Sequence, residues 1–197
     1  MEQEKDWFET EDLLLYMAHW DLAQEVTDFY VRNRAFLAPF EPKRPESFYT
    51  VKGQKQELRE EDADIHTGCG MRLYLAEKTN PDVICGMVGL NNIVWGSVQS
   101  CTLAYKIDKD LQGKGYATQA VRRAIEIAFQ VLHLHRVEAN IMPHNLPSIR
   151  VVEKCGMERE GYSRGYLEIN GVWEDHLRYA AVNPEQDAAI EAKSAAM

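Results

Sequence analysis

The sequence predicts an α+β fold in which a mixed, mostly antiparallel central sheet carries helices on both faces. Three observations predict it. Apolar segments of strand length are interleaved with segments of helical periodicity. Three of the strands follow one another through connections too short for βαβ crossovers. The clearest amphipathic helix of the chain starts directly after a glycine-rich loop at the end of the third of these strands.

Taken in order, LLLYM at 13–17 reads as the first buried strand. Asp21 then stands three residues before Gln24, the spacing of a capping box, and Leu22, Val26, Phe29 and Tyr30 share one helical face. Pro39 and Pro42 end that helix. A polar stretch over 46–64, rich in Glu and Lys, reads as a mostly exposed helix. Strands are expected at 71–78, 83–94 and 100–107, separated by the turn signals Asn80-Pro81-Asp82 and Trp95-Gly96-Ser97. Ala117, Ala120, Val121, Ala124, Ile125, Ala128, Val131 and Leu132 recur at helical spacing. Residues 135–142 form another strand, with Val137, Ala139 and Ile141 alternating against Glu138, Asn140 and Met142 until Pro143 stops it. A short helix over 147–155 ends at Gly156. Asn170-Gly171 then joins two strands as a two-residue hairpin turn. No repeat or long linker divides residues 1–182, which read as a single domain, followed by a small, polar, loosely held tail over 183–197.

Composition narrows the function classes. With 45% hydrophobic and 27% charged residues the chain reads as globular, and no run approaches the roughly 18 to 20 apolar residues of a membrane span. The charged N-terminus lacks an apolar signal core, so a cytoplasmic location without membrane partners is expected. A net charge of −9 argues against direct nucleic-acid binding and suits a basic partner. Cys69, Cys85, Cys101 and Cys155 are too far apart for a disulfide framework or a zinc site, and His133 and His135 have no accompanying ligand cluster, so no metal is expected.

The loop Gln112-Gly113-Lys114-Gly115-Tyr116-Ala117-Thr118 carries the strongest chemical signal. Two glycines permit positive φ and close approach, and the helix that follows offers unpaired N–H groups with a partial positive charge. Together these suit an anion, although a glycine turn that merely joins strand to helix has the same spacing. A P-loop is excluded because Lys114 is followed by Gly115, and a dinucleotide fingerprint is excluded because Thr118 stands where its third glycine belongs.

The segment 112–117 resembles the Q/R-x-x-G-x-G/A signature of the GNAT superfamily of N-acetyltransferases. NRAFLAPFEP (33–42), HRVEANIMPHNLPS (135–148), EKCGMEREGY (153–162) and YLEINGVWEDH (166–176) extend the resemblance over nearly the whole chain, towards the ribosomal-protein-alanine N-acetyltransferase branch of the RimJ type. The resemblance implies a GNAT fold, with acetyl-CoA as co-substrate and its pyrophosphate on the loop amides. Two parallel strands splay apart around the pantetheine arm, which places Tyr105, Lys106 and Ile107 beside the arm, mainly through backbone. It also implies a protein N-terminus as acceptor, alanine or a similar small residue, on a small-subunit ribosomal protein, and a monomer or homodimer.

Direct transfer needs a neutral amine, a polarised thioester and a proton for the departing thiolate. Asn145-Leu146-Pro147-Ser148 resembles the family's second motif, but Val152 stands where many members place a tyrosine acid, so the resemblance makes Ser148 the proton donor. Asn145 suits both a helix N-cap and a cofactor contact. The base is less defined. Asn140 occupies the position where a related type has glutamate; Glu138 lies two residues earlier on the same strand face; Glu168 pairs with Trp173, and Tyr166 with Asp175, on a hairpin face expected to turn inward with Leu177 and Tyr179. Glu168 reads equally as an ordinary strand glutamate, and Asp175 matches a recurrent family position. An α-amine, with a pKa of about 7.7–8.0 against about 10.4 for lysine, needs little help to become neutral, so a water held by Asn140 or by a backbone carbonyl would serve. His144 is expected at the peptide entrance and His176 on the solvent side of the hairpin. The aromatic segment FLAPFEP suits core packing or an acceptor groove. With no cysteine in the transfer motifs, a ternary-complex reaction follows. The rivals are a polyamine or antibiotic acetyltransferase and a non-catalytic acetyl-CoA-binding module on the ribosome.

Overall fold

The computed structural model describes residues 7–186. Within them lie strands β1 (Trp7–Glu9), β2 (Leu13–Met17), β3 (Met71–Glu77), β4 (Asn80–Val94), β5 (Ser100–Ile107), β6 (Arg136–Ile141), β7 (Glu158–Ile169) and β8 (Val172–Val182). Helices α1 (Ala23–Leu37) and α2 (Val51–Thr67) follow β2, α3 (Tyr116–Glu126) follows β5, and α4 (Leu146–Lys154) follows β6. One sheet runs in the order β1-β2-β3-β4-β5-β6-β8-β7. Only β5 and β6 pair in parallel. The sheet is therefore mixed and mostly antiparallel, with helices on both faces, as the short connections require.

Each face has its own core. Val88, Leu103, Val137, Ala139, Leu177 and Tyr179 pack with α3 residues Ala120, Val121, Ala124 and Ile125. On the other face Tyr74, Ile84 and Met87 meet Val26, Phe29 and Tyr30 of α1 and Leu58 of α2. Strand alternation sends neighbours such as Met87 and Val88 into different cores. The same parity assigns a face to every side chain near the site.

Several local expectations are corrected. Asp21 caps no helix; it sits in a 3-10 turn (Trp20–Leu22) whose cap is His19, and Gln24 bonds Asp28 instead of closing a capping box. The turn between β3 and β4 is at residues 78–79, so β4 already begins at Asn80. After Glu126 the helix widens to π pitch over Ile127–Val131, which rotates Ile127 into the core and leaves Val131 52% exposed. The polar-face assignment of Met142 fails: it is buried. Asn183, at the start of the expected loose tail, is buried, its N–H donating to the carbonyl of His135 (2.8 Å) and its Nδ2 to that of Leu134 (3.2 Å). Residues 187–197, the rest of that tail, lie outside the described residues.

The hairpin turn at Asn170-Gly171 has φ of 47° and 85°, the mirror-image turn that suits a twisted ribbon. Glu168 faces Trp173 as expected, but the pairing of Tyr166 with Asp175 does not occur. The register jumps between Ser163↔His176 and Leu167↔Glu174, so residues 164–166 bulge opposite Asp175 alone. Gly165 takes φ 52° in this bulge and gives its N–H to Asp175 Oδ1 (2.7 Å). Beyond it the hairpin is exposed apart from Ile169, with Trp173 at 66%. Glu168 is thus not turned inward, and His176, expected in solvent, is buried.

Candidate active site

The sheet opens where the site lies. β5 and β6 pair only at Ser100↔Arg136, Cys101↔Val137 and Thr102↔Glu138, yet β5 continues to Ile107 and β6 to Ile141. From Leu103 and Ala139 onward the two strands diverge, each still held by its other neighbour. Asp108 N–H bonds the carbonyl of Cys85 (2.8 Å) across to β4. By the alternation of an antiparallel pair, Lys106 also turns its backbone to β4, while Leu103, Tyr105 and Ile107 turn theirs towards β6. The Thr102↔Glu138 bridge takes up the Leu103 N–H, which leaves Tyr105 and Ile107 facing the gap. The expected backbone role therefore suits Tyr105 and Ile107. It does not suit Lys106, whose backbone already has a strand partner.

The loop after β5 is built from below. Asp108, 4% exposed, receives Arg32 Nε (2.6 Å), Asn33 Nδ2 (2.9 Å) and the N–H of Asp110 (3.0 Å). Burial pushes its carboxyl up, but the bonds from Asn33, Asp110 and Arg32 outweigh that and hold it below its ordinary value. Asn33 Oδ1 accepts the N–H of Lys109 (2.9 Å), so α1 clamps the loop's entrance. Gln112 folds its amide back onto the carbonyls of Ile107 (2.8 Å) and Asp108 (3.1 Å). Gly113 and Gly115 take φ of 79° and 84°, and Gly115 is the residue from which α3 starts. The first helical bond is Gln119 N–H to the carbonyl of Gly115 (3.0 Å), so the N–H groups of 116–118 point out of the helix end without a helical acceptor.

These amides border a cavity of about 240 Å³ lined by Ile107, Gln112, Gly113, Gly115, Tyr116, Ala117 and Thr118 on one side. Pro147, Arg150, Val151 and Lys154 of α4 line the other, and the two cations escaped the sequence reading. Lys114 Nζ lies 3.3 Å from Glu77 Oε1, which also accepts the Tyr116 hydroxyl at 2.6 Å. The Tyr116 bond, chiefly, pushes the phenol up to about 12.

Across the gap, Asn145 caps α4 by accepting the Ser148 N–H (3.3 Å). The Ser148 hydroxyl meets the Tyr105 hydroxyl at 2.6 Å, and the same phenol donates to the Ser148 carbonyl (2.9 Å). Burial raises the Tyr105 phenol well above its ordinary value, so it stays protonated. This side-chain contact was not foreseen for Tyr105. Cys155, half-buried, points its thiol at the carbonyl of Thr118 (3.5 Å), and burial raises its pKa, which keeps the thiolate form scarce.

The opposite face of the gap belongs to other residues. Lys106 forms an ion pair with Glu41, both largely buried, and the N–H of Asn170 at the hairpin tip donates to the Glu41 carbonyl (2.9 Å). Glu138 is held by Arg136 (2.7 Å) and Arg178 (3.3 Å), so both its oxygens are engaged by guanidinium groups. Glu168 stands exposed with no partner among the described residues. Asn140 Nδ2 is 3.5 Å from the Tyr166 hydroxyl, and its Oδ1 is buried without a partner. His144 is exposed at the turn into α4. Among the described residues no group of three or more His, Cys, Asp or Glu could hold a metal, and no helix is long and apolar enough to cross a membrane.

A split sheet with an amide-lined loop on one arm and a capped, hydroxyl-bearing helix on the other is the architecture of an N-acetyltransferase. The chain belongs to the GNAT family: the model described as "Acetyltransferase (GNAT) domain" matches residues 7–158. It is 40% identical over 171 residues to the probable N-acetyltransferase YjcK of Bacillus subtilis (strain 168), covering 84% of this chain and 91% of that one. It is 35% identical over 176 residues to the [ribosomal protein uS5]-alanine N-acetyltransferase of Escherichia coli (strain K12), covering 89% and 90%. The solved structure of Mycobacterium smegmatis RimJ in complex with CoA-disulfide superposes with a TM-score of 0.82 at 25% identity, covering 88% of this chain and 83% of the other. The protein is therefore a GNAT acyltransferase.

Proposed function

We propose that this acyltransferase uses acetyl-CoA to acetylate the N-terminal α-amine of a protein, alanine or a similar small residue first, on a small-subunit ribosomal protein. The observation that carries the reading is the Ser148 hydroxyl, held by Tyr105 and the cap of α4 at the open end of the split sheet. The name of the Escherichia coli relative supports the acceptor, and the CoA-bound neighbour supports the donor.

The residues fit that donor. A positive-φ glycine pair, three amides without helical acceptors and an adjoining cavity make an anion cradle. Gly113, Gly115, Tyr116, Ala117 and Thr118 would hold the pyrophosphate through backbone, and Lys114 would add charge on leaving Glu77. Gln112 keeps the loop in shape, and Tyr105 and Ile107 offer backbone groups to the pantetheine arm. Asn145 fixes the first turn of α4, and Ser148 donates a proton to the sulfur. When bound, acetyl-CoA supplies an activated acyl group and a thiolate leaving group. With the Cys155 thiol half-buried and engaged by the Thr118 carbonyl, transfer is direct, within a ternary complex.

The test is thiol release from acetyl-CoA with an alanine-starting ribosomal peptide, the same peptide blocked at its N-terminus, and spermidine. Release with the free peptide alone is expected. Release with spermidine only, or none with any amine despite measurable CoA binding, overturns the reading.

A further inference from the structure

The acid side of the reaction has a residue; the base side needs one, because Glu138 is neutralised by two arginines and Glu168 lies in solvent. The face opposite Ser148 offers another group. In β6 and β8, Asn140 pairs with Arg178, and paired residues share a face. His176, two residues from Arg178, is on that face too. It is 3% exposed. Its Nδ1 lies 3.0 Å from the carbonyl of Glu174. A carbonyl can only accept, so Nδ1 carries the proton and the lone pair is on Nε2. No group among the described residues meets Nε2. The Tyr166 ring lies edge-on to the imidazole at 5.7 Å, and the Tyr166 hydroxyl reaches Asn140, whose buried Oδ1 is also without a partner. On the hairpin a depression of about 280 Å³ is lined by Glu160, Gly161, Tyr162, Arg178 and Ser163, the last being the cross-strand partner of His176.

We propose that His176 is the general base of the transfer, taking a proton at Nε2 from the acceptor amine while Asn140 Oδ1 accepts a second N–H. This rests on the acetyl-transfer reading above. In balance, the ammonium loses one proton to His176 and thence to solvent, and its nitrogen bonds the acyl carbon as the carbon–sulfur bond breaks. The second nitrogen proton replaces the one that Ser148 gives to sulfur. A histidine whose Nδ1 is fixed by a carbonyl and whose Nε2 is free has the form such a base needs.

The charged and titratable neighbours on this face are largely matched. Arg178 is paired with Glu138 from β6, Lys106 of β5 with Glu41 of the α1–α2 connection, and Glu174 contributes its carbonyl. Asp175, next in the chain, is hydrogen-bonded by Tyr162 and the N–H of Gly165 and also interacts electrostatically with His176. Glu160 of the depression is paired with Arg136, and Tyr166 comes from β7.

The experiment compares the wild type with His176→Asn, which keeps a donor for the Glu174 carbonyl, using both the peptide and spermidine. Expected is a loss of kcat of about 10²-fold on whichever amine the wild type accepts, unchanged CoA affinity, and a changed acid limb of kcat/KM that then follows the amine alone. Nitrogen-15 NMR of histidine-labelled wild type supplies a readout independent of turnover. The His176 signals should show protonated Nδ1 and bare Nε2, and Nε2 should shift when the amine is added. A variant retaining kcat and pH profile within twofold overturns the proposal. So does the opposite tautomer, or an Nε2 signal indifferent to amine, whatever the variant does. A wild type active only on spermidine refutes the peptide acceptor and leaves His176 to be judged on spermidine.

Discussion

Tyr105 and Ser148 form a two-member proton arrangement. The phenol donates its hydrogen bond to the Ser148 carbonyl, so its oxygen is left to accept from the Ser148 hydroxyl, and that hydroxyl is held in place before any sulfur arrives. Ser148→Ala is expected to lower kcat by at least about 10²-fold with little change in CoA affinity. Tyr105→Phe removes both hydrogen bonds of the phenol to Ser148 and should cost about tenfold in kcat. In the double variant the Tyr105 loss should vanish, because its object is gone. Steady-state kinetics of the three variants decide this, and additive losses would show that the phenol acts elsewhere. At this scale the sequence was informative where spacing carries meaning: Asn145 and Ser148 stand three apart at a helix start. It was uninformative about direction. Tyr105 was expected to matter through backbone, yet its phenol reaches Ser148, while Lys106, one residue on, turns to Glu41.

Among the elements, the loop after β5 depends on α1. Arg32 and Asn33 reach the single carboxylate of Asp108 from about 75 positions earlier, and Asn33 also takes the Lys109 N–H. Asp108→Asn should destabilise the fold by about 2–3 kcal/mol at pH 7 and weaken CoA binding, since the loop's entrance loosens. The sign with pH follows from a depressed folded pKa. The carboxylate's contribution is complete above the ordinary aspartate value of about 3.9 and disappears as pH falls through the folded one. The stability gap between wild type and variant should therefore close on acidification; urea unfolding at several pH values measures it, and a constant gap would refute the assignment. The elements themselves were largely legible, because period and turn chemistry are local. The exceptions have tertiary causes. The π turn over Ile127–Val131 trades Val131 for Ile127 in the core, and the bulge opposite Asp175 brings Tyr166 against His176, covering a face that simple alternation assigns to water.

For the molecule as a whole, the antiparallel meander and the two helical faces followed from connection length and amphipathicity. The three-residue strand β1, within the charged stretch KDWFE, had no periodic signal to reveal it and exists by pairing with β2. The parting of β5 from β6 was accessible only through family resemblance, because nothing in either strand's composition says where pairing stops. That parting leaves the amides of Tyr105 and Ile107 facing a gap inside a sheet whose other central strands are bonded on both edges. Deuterium exchange should therefore be fast there relative to the neighbouring amides of Ala104 and Lys106, which bond β4. Saturating CoA should slow Tyr105 and Ile107 by about tenfold or more, and equal rates with and without CoA would place the arm elsewhere. In its free form the enzyme thus carries an unfinished seam through the middle of its sheet, and in the proposed reaction its acyl donor would serve for the length of one turnover as the missing strand.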